Sequence, residues 1–356
     1  MRGADIQQLG IFSYVSVEDR VPVDHPIRKL RVLVDTILSE LDPVFASRYA
    51  RLGRVSIPPE RLLRAALLQV VYSVRSERLL MEQMNYNLLF RWFVGLNVDD
   101  PIWDHSTFSF NRDRLFDAHI AQNFFAHTVL LARIQELVSD EHFSVDGSLL
   151  EAWASHKSFR PKDGSGGDGN DFHGQTRCND THASTTDPDA RLIRKGKGKE
   201  AKLSYLANSL MENRNGLIVG IDVRHASGTG ERDGALGLAN AHLKPGNTLG
   251  ADKGYDTQEF VAALKQRGIV PHIARNTNGR RSAIHGRRAG SNGYAMSMQV
   301  RKRIEQGFGW VKTIGGLGKL PRVGLERVRG WVAWNFAAYN LIRLGGIGGW
   351  WNPSPT

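Results

Sequence analysis

Apolar residues change their spacing once along this chain, near residue 140. Before that point they recur at helical intervals: Ile27, Leu30, Val34, Ile37 and Leu41 fall on one face of a 3.6-residue period. Ser56-Ile57-Pro58-Pro59-Glu60 reads as a helix start, with a capping candidate and prolines in the first turn. Residues 61–73 continue that helix with Leu, Ala and Val. Another helix is predicted within 77–95, ending near Gly95. A further one opens at Asp104-His105-Ser106-Thr107-Phe108 and carries Asn111, Arg112 and Arg114. Short helices in succession, one of them polar and rich in Arg, suit a helix-turn-helix-like DNA reader. They suit a plain helical bundle equally well, and the pattern leaves both open.

After residue 140 the period shortens to two. Residues 142–149 alternate as a strand does. Residues 155–200 hold Gly164-Ser165-Gly166-Gly167-Asp168-Gly169 and a basic run over 191–202. They are too poor in apolar residues for a core and read as a mobile loop. A hairpin follows, 203–212 and 217–225 around the turn Asn213-Arg214-Asn215-Gly216. Then come a helix over 231–242, a strand ending Thr248-Leu249-Gly250-Ala251-Asp252, a helix over 256–267 and a strand over 270–274. A helix over 299–313 and a Trp-rich helix over 325–344 complete the order. Such an order predicts a mixed α/β layer with helices packed on a sheet. It divides the chain into a helical region over 1–135, an α/β region over 136–344 and a Gly, Trp and Pro tail over 345–356.

Charge sharpens this picture. The chain has 356 residues, of which 47 are Lys or Arg and 36 Asp or Glu, a net charge of +11. Polyanions are the natural partner of such a surface. The single cysteine, Cys178, excludes an intrachain disulfide and a Cys-based zinc cluster, and fits a reducing compartment. Met1-Arg2-Gly3-Ala4-Asp5-Ile6 lacks the apolar core of a signal peptide, and no apolar run has membrane-span length. The expectation is a soluble cytoplasmic protein.

Against this basic background three acids stand out: Asp146 inside a strand, Asp252 at the end of another, and Glu305 on a basic helix. Carboxylates brought together from two strands and a helix are what a pair of divalent cations needs for phosphoryl transfer. Asp256, three residues before Glu259, is explained as a helix cap, whereas Asp252 and Asp146 have no such local role. Glu151, Asp222, Glu231 and Glu326 are the rival acids. The spacing Arg301-x3-Glu305-x6-Lys312 groups two cations with one carboxylate, which a surface ion pair would also explain. Around them lie Arg280, Arg281, Arg287, Arg288, Lys302 and Arg303, cations suited to DNA phosphates. His173, Cys178 and His182 are a weak zinc signal. Gly315-Gly316-Leu317-Gly318-Lys319-Leu320 lacks the Gly-x4-Gly-Lys-Ser/Thr spacing of a phosphate loop. Trp331, Trp334, Phe336 and Tyr339 read as core packing.

Several stretches resemble bacterial insertion-sequence transposases of the IS-five type. Ser144-Val145-Asp146-Gly147-Ser148-Leu149-Leu150-Glu151-Ala152-Trp153-Ala154-Ser155 resembles the family's first-aspartate block. Ala251-Asp252-Lys253-Gly254-Tyr255-Asp256 is similar to the second, and Arg303-Ile304-Glu305-Gln306-Gly307-Phe308-Gly309-Trp310-Val311-Lys312 to the glutamate block. Thr181-His182-Ala183-Ser184-Thr185-Thr186-Asp187-Pro188-Asp189-Ala190-Arg191, Met211-Glu212-Asn213-Arg214-Asn215-Gly216, Tyr72-Ser73-Val74-Arg75-Ser76-Glu77-Arg78 and Leu88-Leu89-Phe90-Arg91-Trp92-Phe93-Val94-Gly95-Leu96 extend the likeness from about residue 10 to 344. The resemblance implies an RNase H-like catalytic fold. It also implies a DDE triad of Asp146, Asp252 and Glu305 holding two Mg²⁺ ions, with Mn²⁺ able to substitute. The implied activity is cleavage of element ends and strand transfer into target DNA. Double-stranded DNA is the implied partner, as terminal inverted repeats and target, with a homodimer at synapsis. One departure is Met298, where the family's glutamate region often has Tyr. The competing readings are a non-cutting DNA-binding derivative and a metal-dependent nuclease without strand transfer.

Overall fold

The computed structural model describes residues 14–49, 56–115, 118–163, 177–196 and 198–351. The glycine-rich run at 164–169, His173 and the first six residues lie outside these, as does the side chain of Arg114.

The first half is helical as its periodicity predicts. It runs through α1 (Val17–Arg20), α2 (Pro26–Glu40), α3 (Asp42–Arg48), α4 (Pro59–Val71), α5 (Glu77–Tyr86), α6 (Leu88–Val94), α7 (His105–Leu115) and α8 (Ala118–Ile134). The stripe Ile27, Leu30, Val34 and Ile37 is buried along α2. Pro58 rather than Ser56 occupies the cap position of α4. The predicted helix within 77–95 is two helices, because Asn87 ends one and caps the next, its Oδ1 accepting from the Leu89 and Phe90 amides. Gly95 closes α6 at φ +87°, a left-handed conformation that favours glycine.

Arg91 is 2% exposed and has backbone carbonyls as acceptors: Nε donates to Asn97 O at 2.9 Å and Nη1 to Met84 O at 3.0 Å. It therefore staples the α5–α6 corner to the loop that follows. Replacing it by Met would leave those carbonyls without donors. Arg91→Met is expected to lower stability by roughly 2–4 kcal/mol in urea denaturation; an unchanged midpoint would show that water replaces the guanidinium there.

The second half is built on β1 (His142–Glu151), β2 (Phe159–Pro161), β3 (His182–Ser184), β4 (Arg191–Arg194), β5 (Ala201–Glu212), β6 (Ile218–His225), β7 (Thr248–Ala251) and β8 (Val270–Ile273). Its helices are α9 (Gly230–His242), α10 (Gln258–Gln266), α11 (Gly286–Ala289), α12 (Asn292–Val300), α13 (Arg303–Thr313) and α14 (Leu325–Ile347). β5 pairs antiparallel with both β1 and β6, while β7 runs parallel to β1 and β8 parallel to β7. The spatial order β6-β5-β1-β7-β8, an antiparallel meander continued by two parallel strands, is that of an RNase H-like sheet. The hairpin turn is held by Glu212, which is fully buried and accepts from the Arg214, Asn215 and Leu217 amides.

Where a mobile loop over 155–200 is expected, the described residues of that stretch form strands, which corrects that reading for them; 164–176 and 197 lie outside the described residues. β2 pairs with β3, and β4 extends the main sheet beside β5. Asp187 anchors the segment: it is fully buried and accepts from the Tyr205 hydroxyl at 2.6 Å and the Gly324 amide at 3.2 Å. Composition misled because these polar side chains bond to the sheet and to the start of α14 instead of to water.

α14 joins the halves. It packs on α2, α4 and α8 and, on its other side, on β6 and α13. Trp334 is fully buried, its ring 4.4 Å from that of Phe124 in α8. Asn340 bonds both backbone groups of Ile218, at 2.9 and 2.8 Å, and so completes the start of β6. Trp331, Phe336 and Tyr339 are buried with it, as predicted. Among the described residues no helix is long and apolar enough to cross a membrane.

Candidate functional site

Strand register brings the two aspartates together. Ser144 on β1 lies level with Gly250 on β7. Asp146 and Asp252 each lie two residues beyond that pair, and both line one cleft. β7 stops at Ala251, so β1 runs on with β5 on one side only, and a cleft opens on the side β7 leaves. Glu305 enters from a helix on that face. The predicted helix over 299–313 is broken: α12 ends at Val300 and α13 starts at Arg303. Glu305 therefore sits in the first turn of α13, held over the cleft by buried Ile304, Phe308 and Val311. The cleft, about 280 Å³, is lined by Asp146, Asp252 and Glu305 with Lys253, Arg275 and Arg301, and by Val145, Ala251, Ala274 and Ile304.

Among the described residues no cation forms an ion pair with any of the three acids. Asp146 accepts, among the described residues, from the amide of Gly147 alone, at 2.9 Å. Burial pushes its carboxyl up to about 7, and the charges of Asp252, Glu231 and Glu305 add to that against the Gly147 bond. Asp252 does have a local role, contrary to the sequence reading: Oδ1 caps the short turn Lys253–Tyr255, accepting from Gly254 at 2.7 Å. Asp256 is not the cap of α10; Thr257 is. Asp256 is buried and accepts from the Asn276 amide at 2.7 Å and the Ala283 amide at 2.9 Å, fixing the loop after β8. Among the described residues Arg301 and Glu305 form no ion pair, and the helix break removes the i,i+4 geometry such a pair needs. The Nε of Arg301 is buried without an acceptor, a donor left for an anion the protein does not supply.

Lys312 lies apart from the cleft. Its Nζ donates to Ser148 Oγ at 2.6 Å and Leu149 O at 3.2 Å, tying α13 to β1 just beyond Asp146. Burial, then Lys195, lowers its pKa, while Asp146 raises it. Arg303 donates to the carbonyls of Asn213 and Arg214 at the hairpin turn. Arg280 donates to Asp256 O at 2.7 Å. Lys302, Arg281 and Arg287 are exposed, and Arg288 is half-buried. Sequence reasoning missed Lys253 and Arg275. Both follow strand ends, the position where α/β sheets build sites, and that signal was applied to Asp252 alone.

Of the rival acids, Glu151 pairs with Lys202, Asp222 with Arg224 and Glu326 with Arg329. Among the described residues Glu231 forms no ion pair, though the charges of Arg232 and Lys195 act on it. The weak zinc signal finds no support: Cys178 is exposed beside Thr181, and His182 bonds Thr181 and stacks on Phe159. In the glycine-rich 315–320 stretch the Leu317 and Gly318 amides already bond to carbonyls of α13, so they cradle no phosphate. Met298 packs against the core.

An RNase H-like sheet with carboxylates gathered where its central parallel strand ends defines a class of nucleic-acid phosphoryl-transfer proteins. Within that class, residues 15–114 match the family described as a transposase domain (DUF772), and residues 172–341 match the transposase DDE domain. The chain is thus a DDE transposase of the insertion-sequence kind, an enzyme dependent on divalent metal. The second match contains Asp252 and Glu305 and begins after Asp146. No curated protein matches the sequence. Among solved structures, the chain is similar to a piggyBac transposase synaptic complex with hairpin DNA, at 10% identity and TM-score 0.43, over 91% of this chain and 75% of that one. It is also similar to a pre-cleavage Mos1 transpososome, at 8% identity and TM-score 0.21, over 92% of this chain and 98% of that one. Strand order and direction define the fold.

Proposed function

We propose that Asp146, Asp252 and Glu305 are the catalytic carboxylates of DNA-end cleavage and strand transfer, and that they hold two Mg²⁺ ions. The observation that carries this reading is their convergence, from two strands and a helix start, in one cleft lined by three cations. The donor set is all oxygen, which suits a hard divalent cation. Among the described residues no three such side chains close around a single point. Mg²⁺ does not require that, since one or two carboxylates with water and phosphate oxygens complete its shell. When bound, the ions would supply nucleophile activation and leaving-oxygen stabilisation for an in-line displacement. The chain's own part is to position and to balance charge. Arg301, Arg275 and Lys253 would neutralise the phosphate drawn to the cleft. The Asp146 carboxyl holds its proton near neutrality and gives it up when a cation arrives.

The substrate is double-stranded DNA, as the terminal repeats of an element and as target. The exposed Lys302, Arg281 and Arg287 would contact its backbone, and the helical region over 1–135 would read the ends or pair two copies at synapsis. The catalytic region is 136–344, of the IS-five type, acting in the cytoplasm. The test is cleavage of DNA flanking the reading frame, with Mg²⁺ or Mn²⁺, by wild type and Glu305→Ala. Nicks at the element ends that vanish in the variant are expected. Tight binding of those ends without nicking under either metal would favour a non-cutting DNA-binding protein. Nicks without joined products would favour a nuclease.

A further inference from the structure

One carboxylate near the cleft belongs to neither the triad nor an ion pair. Glu231 lies in the first turn of α9, on the sheet face opposite α13. α9 lies close on the sheet because glycines face it: a Cβ at Gly230 would stand 2.7 Å from Leu206 Cδ2, and one at Gly234 would stand 2.0 Å from Asn208 Nδ2. That close seating brings Glu231 against Gly147, the residue after Asp146 on β1. A Cβ at Gly147 would stand 2.6 Å from Glu231 Cγ, so only glycine there lets the side chain pass.

Two buried polar groups near the same place lack partners. Asn208 is fully buried and sits opposite Gly147 in the ladder. Its Nδ2 donates to Asp222 at 3.1 Å, which fixes the amide's orientation, and its Oδ1 has no donor. That oxygen would lie 2.9 Å from a Cβ on Gly147, in the gap Glu231 crosses. Tyr255 is 1% exposed and its hydroxyl is unbonded. Burial raises its pKa, and the charges of Asp146, Glu231 and Asp252 add to that. Among the described residues Glu231 has no hydrogen bond or ion pair, although the charges of Arg232 and Lys195 favour its ionised form, and the Asn208 oxygen beside it is left without a donor.

We infer that Glu231 is a fourth carboxylate of the divalent-cation site, reaching it through the gap that Gly147 leaves between β1 and α9. This rests on the reading of Asp146, Asp252 and Glu305 given above. The competing explanation is that Glu231 is one of the acids that favour a helix N-terminus. Asp233, in the same turn and bonded to Thr229, provides the control for it.

Mn²⁺ binding to the full-length protein without DNA, followed by calorimetry, separates the two. Glu231→Gln is expected to weaken Mn²⁺ about tenfold or more, while Asp233→Asn binds as wild type. Glu231→Asp keeps the charge in the helix turn but withdraws the carboxylate by a methylene. It should bind Mn²⁺ more weakly than wild type, with helicity unchanged by circular dichroism. Wild-type affinity in both Glu231 variants, with binding lost in Asp252→Asn, would overturn this inference and leave the triad standing. Equal weakening by Asp233→Asn would also overturn it, in favour of helix charge. Absence of Mn²⁺ binding in the wild type would overturn both readings.

Discussion

Asp252→Ala is expected to lose cleavage of element ends by roughly a thousandfold or more while binding the same DNA nearly as well as wild type. The loss is large because Asp252 lines one cleft with Asp146, where no second residue on β7 can substitute: the strand ends at Ala251 and the next acid, Asp256, is buried in bonds to the loop after β8. DNA binding survives because the cations nearest the cleft are held by other means. Arg301 follows α12, Arg275 follows β8, and neither bonds Asp252. The one local bond that is lost, to the Gly254 amide, caps a three-residue turn and costs about 1 kcal/mol. Asp252→Asn keeps an acceptor for that amide and isolates the loss of charge. Gel-shift affinity and nicking, measured on one preparation, test the separation. Metal-dependent nicking retained in either variant would remove Asp252 from the proposed triad.

Much of this geometry is legible in the sequence because it follows from the period of apolar residues. The hairpin over 201–225, the strands before Asp252 and at 270–273, and α9, α10 and α14 lie within a few residues of where the pattern puts them. What the pattern cannot carry is a polar residue bonded to the fold. Asp187, Asp189 and Asn179 make the stretch around them look like a loop, yet each satisfies a backbone amide, the latter two those of Leu325 and Leu192. The break between α12 and α13 is invisible for a similar reason: Arg301 and Lys302 keep right-handed backbone angles and carry no Gly or Pro. In the sequence Glu231 does not stand out from the other acids, because what sets it apart is its close approach to Gly147, in a segment far away along the chain. A carboxylate with no partner is read from three dimensions only.

The same crowding of negative charge makes the metal-free protein less stable as pH rises. Asp146 has an ordinary carboxyl pKa of 3.8 when unfolded and about 7 in the fold, with burial as the first cause and neighbouring carboxylates adding to it. A raised carboxyl means that the folded state holds the proton more tightly. Below about pH 4 the group is protonated in both states and contributes nothing. Between 4 and 7 the unfolded chain ionises first, so stability falls with rising pH, and above 7 the full penalty is present. At about 1.4 kcal/mol per pKa unit, taken as an upper limit for a side chain that keeps some contact with solvent, the penalty is roughly 2–4 kcal/mol. Asp146→Asn removes the charge and keeps the shape. The variant is therefore expected to be more stable than wild type by that amount at pH 8 in chelator, with the two curves converging as pH approaches 4. Urea denaturation at a series of pH values measures it. Added Mg²⁺ should raise the wild type toward the variant and leave the variant nearly unmoved, since a cation relieves the repulsion that the amide has already removed. Parallel pH profiles for the two proteins would mean that the carboxylate is solvated in the cleft and ionises freely. A variant catalytically dead yet more stable would show that the fold tolerates this site at a cost which the bound cation offsets.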